Sequence, residues 1–515
     1  MSPLRVVWTA RVSVTGDADT KAETGPVEGV PVNDPNRWRA LWATLAAGFM
    51  TLLDVTIVAV ALPSMQRELD ASAASVQWVV SGYALAFALT LVTAGRLGDA
   101  FGRRRVFLIA LAAFVVCSAA AGAAPTVALL VVARLAQGVA AGTLSPQNTA
   151  LIQQLFQGAE RGRAFGLFGA TVGVSSAVGP VVGGLILALA DGPDGWRWIF
   201  YVNVPVGLVA LVLGWRLLPR VAPGRRGRLD PAGVALLGTG ILAVMLPLVL
   251  AEAGGLASLW WLFPVGLLIL VGFVGWERRV AARDGDPLLD PRLFTATRGY
   301  ATGASLATLY FVGFSGVWLV FALFFQNGLG YSPLGSGLAV TPFAAGSAGA
   351  AAVAGRLVGR FGRLLTVCGL VAVMAGLGGT ALVLWLAPAD SAAFAAAPLL
   401  FLGGLGSGCV ISPNVTMTLR DVPVRMAGAA GGAMQTGQRL GGAVGTAALP
   451  GLFYLVLTGT HDNYRDAVAV SVGSGVAFML CALAVAVADW RRDRAGRDRR
   501  GPAETAHGHT HATRS

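Results

Sequence analysis

Between about residue 40 and residue 490, long apolar stretches alternate with short polar breaks. An apolar run of about 20 residues crosses a bilayer core as a helix, because only intrahelical hydrogen bonds satisfy a backbone that has no water around it. The breaks mark fourteen predicted spans: 40–62, 76–94, 106–124, 127–151, 164–190, 198–218, 232–250, 258–276, 301–325, 334–354, 364–386, 394–417, 427–456 and 467–488. The pattern therefore predicts an all-α integral membrane protein.

Composition agrees, with 55% hydrophobic and 12% charged residues and a mean hydropathy of +0.68. The net charge of +12 changes the picture only through its placement. When alternate connections are sorted into two sets, 33 of the 38 basic residues fall in the set that holds both chain ends. The other set has only Arg67, Arg197 and Arg465, and Arg134 and Arg439 lie within spans. Basic residues stay on the cytoplasmic side, so both termini are expected there, in a cytoplasmic (inner) membrane. Short arginine runs between spans read as orientation signals rather than as a nucleic-acid surface. Cys117, Cys368, Cys409 and Cys481 lie singly in apolar stretches, which points to neither a disulfide framework nor a metal site. No cofactor is called for. No short apolar run with a small-residue cleavage site precedes the first span, so no removable signal peptide is expected.

The chain echoes itself. GRLGDAFGRRR (Gly95 to Arg105) follows span 2 and GRLVGRFGR (Gly355 to Arg363) follows span 10. If the two correspond, six spans form each half and spans 7 and 8 are an insertion. The expected organisation is a tail at 1–39, one bundle at 40–218, an insertion at 219–298, a second bundle at 299–489 and a tail at 490–515. Two six-helix halves around a midplane site is a transporter plan. The first 38 residues and the segment beyond Trp490 are expected to be disordered.

Of the 26 carboxylates only Asp54 lies well inside a span. A charge there costs about 2.5–3.5 kcal/mol on insertion scales. Asp54 is eight residues before the outer end of span 1, and Arg134 is seven residues after the outer end of span 4. At 1.5 Å per residue both sit roughly 10–12 Å below the outer surface, within reach of each other. Such a pair either resets the carboxylate's proton affinity as the halves move or ties two helices together permanently. Arg439 in span 13, near Gln435, Thr436 and Gln438, has no span carboxylate in the second half to neutralise it. It is expected to face water or backbone carbonyls, or to serve packing. In span 5, Gly179–Pro180 is expected to interrupt and kink the helix, with Gly169, Gly173, Gly183 and Gly184 allowing close packing. In the loop after span 2, orientation alone requires neither Asp99 nor Gly95, Gly98 and Gly102. Asp99 is expected to face the positive N-terminal end of another helix, with Arg103 beside it, as a gate between the halves.

These motifs resemble those of the major facilitator superfamily, and specifically its fourteen-span drug:proton antiporters. GRLGDAFGRRR is similar to the signature between spans 2 and 3, LDVTIVAVALP (Leu53 to Pro63) to the first-span signature, and RLAQG (Arg134 to Gly138) to the fourth-span motif. Gly179, Pro180, Gly183 and Gly184 match the fifth-span antiporter motif. WRWIFYVNVPVG (Trp196 to Gly207) and QWVVSGYALAFA (Gln77 to Ala88) are similar to two further stretches, and the six stand in register. The resemblance implies a two-bundle fold, rocker-type alternating access, export driven by the proton gradient, and a monomer. It also implies a role for the arginine at Arg134 in coupling and for the fifth-span motif in favouring export. Unlike some cation exporters, this chain has no acids in spans 9 to 14, so a neutral or weakly charged apolar compound is the expected substrate. Tyr310, Phe311, Phe314, Trp318 and Phe321 are candidate contacts, with Gln435, Gln438 and Arg439. A passive facilitator or importer of the same fold is the rival reading. An enzyme is disfavoured because no histidine lies in a span, and a channel because no filter segment repeats four times. HGHTH (His507, His509, His511) reads as a polar tail rather than a metal site.

Overall fold

The computed structural model describes residues 36–190, 192–220, 230–251, 254–283, 285–460 and 463–498. The predicted disordered ends up to residue 35 and beyond 498, with the HGHTH segment, lie outside the described residues, as does His461.

The described chain is helical. The first half comprises α1 (Arg37–Glu68), α2 (Ala73–Phe101), α3 (Arg103–Gly122), α4 (Val127–Leu155), α5 (Gly158–Leu189) and α6 (Asn203–Leu217). Two helices follow, α7 (Pro231–Val249) and α8 (Leu262–Ala282). The second half comprises α9 (Tyr300–Ser315), α10 (Pro333–Phe361), α11 (Arg363–Leu386), α12 (Ala392–Thr418), α13 (Ala427–Gly459) and α14 (Tyr464–Asp498). After Gly316, α9 continues through Val317–Leu323 into a π-helical turn at Phe324–Gly328. Twelve helical segments are, over their described residues, long and apolar enough to cross a membrane. Helices α5 and α8 are not among the twelve, and the last turns of α8 carry Glu277, Arg278 and Arg279.

Local chemistry sets several ends. Ser72, Thr126, Asp230 and Ser332 each accept a hydrogen bond from a backbone N–H three residues on, satisfying a donor that the helix leaves open. Three boundaries correct the sequence reading. Helix α1 starts at Arg37 and passes Pro63 to reach Glu68, carried by the burial of Ala61 and Met65 against Trp196 and Phe200. Helix α14 continues to Asp498, so residues 490–498 are helix where disorder was expected. Helix α5 is unbroken from Gly158 to Leu189, where an interruption at Gly179–Pro180 was expected. A proline removes one backbone hydrogen bond, and packing of α5 on α1 and α10 holds both sides of it.

Each half packs internally in the same way. Helix α4 lies against α2 and α3, and α12 against α10 and α11. Two large cores fill them: one with Phe107, Phe114 and Phe165 of the first half that also takes in Tyr300 and Met434 of the second, and one with Phe321, Phe324 and Leu377 of the second. The repeated motifs occupy equivalent junctions. Helix α2 turns into α3 at Gly102 with φ 94°, and α10 turns into α11 at Gly362 with φ 54°, a backbone region that favours glycine. Gly95 to Phe101 belong to α2, so the motif read as a loop is mostly the end of a helix. Helices α7 and α8 pack on each other, and α7 packs on α2 and α13. Leu237, Ile241, Met245 and Phe273 share a core there with Leu85, Ala88 and Val92 of α2.

Candidate functional site

Asp54 and Arg134, predicted to lie at equal depth, meet directly. Arg134 Nη1 donates to Asp54 Oδ2 at 2.5 Å, and both side chains are fully buried. Two amides complete the carboxylate: Asn203 Nδ2 donates to Oδ1 at 2.9 Å and Gln137 Nε2 at 3.1 Å. Asn203 also donates to Ser118 Oγ. The guanidinium is equally engaged, through Val79 O at 3.0 Å, Gln137 Oε1 at 2.7 Å and the Tyr83 ring 4.2 Å from its centre. Helices α1, α2, α3, α4 and α6 thus converge on one carboxylate. A buried ion pair needs such extra hydrogen bonds to offset desolvation.

Sequence reasoning missed Gln137, Asn203, Ser118 and Tyr83. Each is a polar side chain in or beside an apolar span, and three of them stand inside quoted motifs: RLAQG, WRWIFYVNVPVG and QWVVSGYALAFA. That polarity was the available signal, but nothing in the spacing says that these helices meet.

On the arginine-rich side, Asp99 accepts hydrogen bonds from the backbone N–H groups of Gly428 and Ala429, at 3.2 and 3.0 Å, at the start of α13. Arg103 holds Asp99 from the next helix at 2.9 Å and donates to Ala150 O and to Val424 O across the seam. Gly95 leaves no room for a side chain because Gly428 O lies against it. The second half repeats the arrangement: a Cβ on Gly355 would collide with Gly162 and Gly166 of α5. Arg363 is held by Asn414 and Asp489. Small residues allow backbones to approach this closely in a membrane. Gln153 donates to Leu419 O and Arg161 to Arg420 O, so the halves touch at several points on this side. Further along, α5 turns to its own half: Gly179 is packed against Thr56 and Gly183 against Ile57 of α1, while Gly184 meets nothing within 4 Å.

The other candidates fall in two groups. Tyr310 is buried in the second-half core, its hydroxyl 2.9 Å from Ser407 Oγ and its ring stacked on Phe314 at 5.0 Å. Phe314 and Trp318 are half-buried and pack on Phe343. Gln435 joins the halves, accepting from Ser145 Oγ at 2.5 Å and donating to Thr149 Oγ1 at 3.2 Å. Gln438 and Arg439 are half-buried beside it. Arg439 lies over the Phe87 ring of α2, 4.3 Å from the centroid.

Known proteins share both sequence and fold with this chain. A puromycin resistance protein from Streptomyces alboniger is 39% identical, covering 91% of this chain and 95% of its own. A probable actinorhodin transporter from Streptomyces coelicolor is 35% identical over 86% and 79%. The multidrug resistance protein Stp of Mycobacterium tuberculosis is 34% identical over 83% and 78%. Among solved structures, a proton:xylose symporter matches with a TM-score of 0.61 at 16% identity, covering 87% of this chain and 95% of its own. The human organic anion transporter MFSD10 matches with 0.65 at 15% identity over 88% and 100%. At such identities the structures speak to the fold alone. With residues 44–446 matching its family description and relatives above 30% identity along most of its length, the chain belongs to the Major Facilitator Superfamily and is a multi-pass membrane transporter, not an enzyme.

Proposed function

We propose that the protein is a proton-coupled antiporter that exports small lipophilic compounds, drugs or antibiotics, from the cytoplasm by alternating access. The observation that carries this reading is the buried carboxylate Asp54, paired with Arg134 at 2.5 Å inside the first half. The relatives named as resistance and export proteins support the direction and the substrate type. In the reading, Asp54 takes a proton from the outer side, Arg134 is released, and the halves rock about the seam formed by α2 with α13 and α5 with α10. The contacts at Asp99, Arg103, Gly95 and Gly428 are the gate of the arginine-rich side, which we assign to the cytoplasm together with both termini. The insertion at 219–298, flanked by bundles at 40–218 and 299–489, gives fourteen spans, and the transporter acts as a monomer. One proton moving through about 100 mV supplies roughly 2.3 kcal/mol, enough for a concentration ratio of about fifty.

The test is uptake of rhodamine 6G, fluorescein and puromycin into inverted vesicles under an imposed pH gradient. Accumulation of at least one compound that stops when a protonophore is added supports the reading. Equal uptake with and without the gradient would establish a facilitator instead.

A further inference from the structure

The charges midway along the spans do not balance. Asp54, Arg134 and Arg439 are the three that the predicted spans place there, and Asp54 is fully taken up within its own half by Arg134, Gln137 and Asn203. Asp99, Glu277 and Asp489 lie just beyond the predicted spans on the arginine-rich side, where Asp99 and Asp489 pair with Arg103 and Arg363. Among the described residues no ion pair or hydrogen bond engages the Arg439 guanidinium, which rests on Phe87. A ring face offsets only part of the cost of holding a cation away from water. The position is also special. Arg439 belongs to α13 of the second half and reaches α2 of the first, one turn beyond Gln435, which bonds to Ser145 and Thr149 across the same seam.

Phe87 is four residues from Tyr83 on α2, their ring centroids 6.2 Å apart, and Tyr83 carries Arg134 on its face. Two guanidiniums therefore lie on two neighbouring rings of one helix, and only one has a carboxylate. Asp54 neutralises Arg134, so the uncompensated positive charge on this stretch of the seam is that of Arg439, which favours an anion there.

We infer that Arg439 is the recognition group for an anionic substituent on the exported compound, making aromatic or lipophilic molecules with one carboxylate, sulfonate or phenolate the preferred substrates. The guanidinium fork matches the paired oxygens of a carboxylate or sulfonate in a way that an ammonium does not, and its charge attracts a phenolate. This assignment narrows the substrate expected from the sequence, a neutral or weakly charged compound, and rests on the export reading above.

Fluorescein and rhodamine 6G share a xanthene ring and carry opposite charge, so their binding to the purified full-length protein in lipid nanodiscs isolates the charge preference. Fluorescence anisotropy at pH 8, with no gradient, reads binding independently of proton coupling. Wild type is expected to bind fluorescein more tightly than rhodamine 6G. Arg439→Gln is expected to weaken fluorescein at least tenfold, with Arg439→Lys between the two and rhodamine 6G unchanged or tighter. Equal fluorescein affinity in wild type and Arg439→Gln, a wild-type preference for rhodamine 6G, or binding of neither dye overturns the assignment. If Arg439→Gln fails to fold, the wild-type preference and the Lys variant decide. Fluorescein binding through Arg439 without gradient-driven transport would sink the export reading and leave the anion site standing.

Discussion

A single carboxylate organises the first half. Asp54 accepts from Arg134, Gln137 and Asn203, so changing any partner leaves a buried group short of hydrogen bonds. Removing one partner of a buried ion pair costs about 3–5 kcal/mol, whereas removing both charges is often neutral. Arg134→Gln is therefore expected to lower the thermal unfolding temperature in detergent strongly, and Asp54→Asn combined with Arg134→Gln to restore most of it. If the double variant is less stable than Arg134→Gln alone, the pair is not the main interaction of either residue. Asn203→Ala removes two hydrogen bonds, at Asp54 and Ser118, and each is worth about 1–3 kcal/mol when a buried partner is left unsatisfied. It should lower the same unfolding temperature by less than Arg134→Gln, and no change at all would contradict the geometry. Asp54 and Arg134 were legible in the sequence because a charge in a span stands out against apolar neighbours. Asn203 and Gln137 were not, because an uncharged amide has many possible partners in a span and the one it meets is 149 or 83 residues away.

The elements show where periodicity suffices and where it does not. The fourteen predicted stretches are helical among the described residues, and twelve helical segments are long and apolar enough to cross a membrane, where a backbone has no alternative. Their ends passed the apolar limits: α1 runs past Pro63, where Ala61 and Met65 are buried, and α14 runs past Trp490 into arginine-rich sequence whose Arg491, Arg492 and Arg494 are exposed. The repeat was legible as two glycine-arginine motifs, yet the facing partners Gly428 and Gly162 were not, since they lie in unremarkable glycine-rich stretches. Contact between α2 and α13 depends on Gly95 and Gly428 having no side chain. Gly95→Leu is therefore expected to separate these helices and favour opening on the arginine-rich side. Spin labels at positions 105 and 420, both exposed, should report a longer distance in Gly95→Leu than in wild type. An unchanged distance distribution would show that this approach does not hold the gate. Asp99→Asn should act in the same direction, since Gly428 N–H and Ala429 N–H bond to different oxygens of Asp99, and an amide keeps only one acceptor and loses the charge facing the helix end.

Across the whole molecule, the inter-half contacts named above cluster on the arginine-rich side, through α2 with α13 and α5 with α10. The other end of α5 packs on α1 of its own half through Gly179 and Gly183, so the described conformation is closed at the arginine-rich end. Closure there and a fully partnered Asp54 occur together in this conformation, as expected if protonation and opening are linked. Helix α7 touches both α2 and α13, one helix from each half. Arg96 is tied to Asp286 just beyond α8 at 3.5 Å, which connects the insertion to the gate motif. In the proposed function, a proton taken by Asp54 drives export. Its most direct test is to energise inverted vesicles, add a transported compound, and follow the internal pH with a quenched acridine dye. Wild type should release protons on addition of the compound, seen as recovered fluorescence, and Asp54→Asn should bind the compound but release none. Proton release by Asp54→Asn equal to wild type, at matched expression, would contradict the claim.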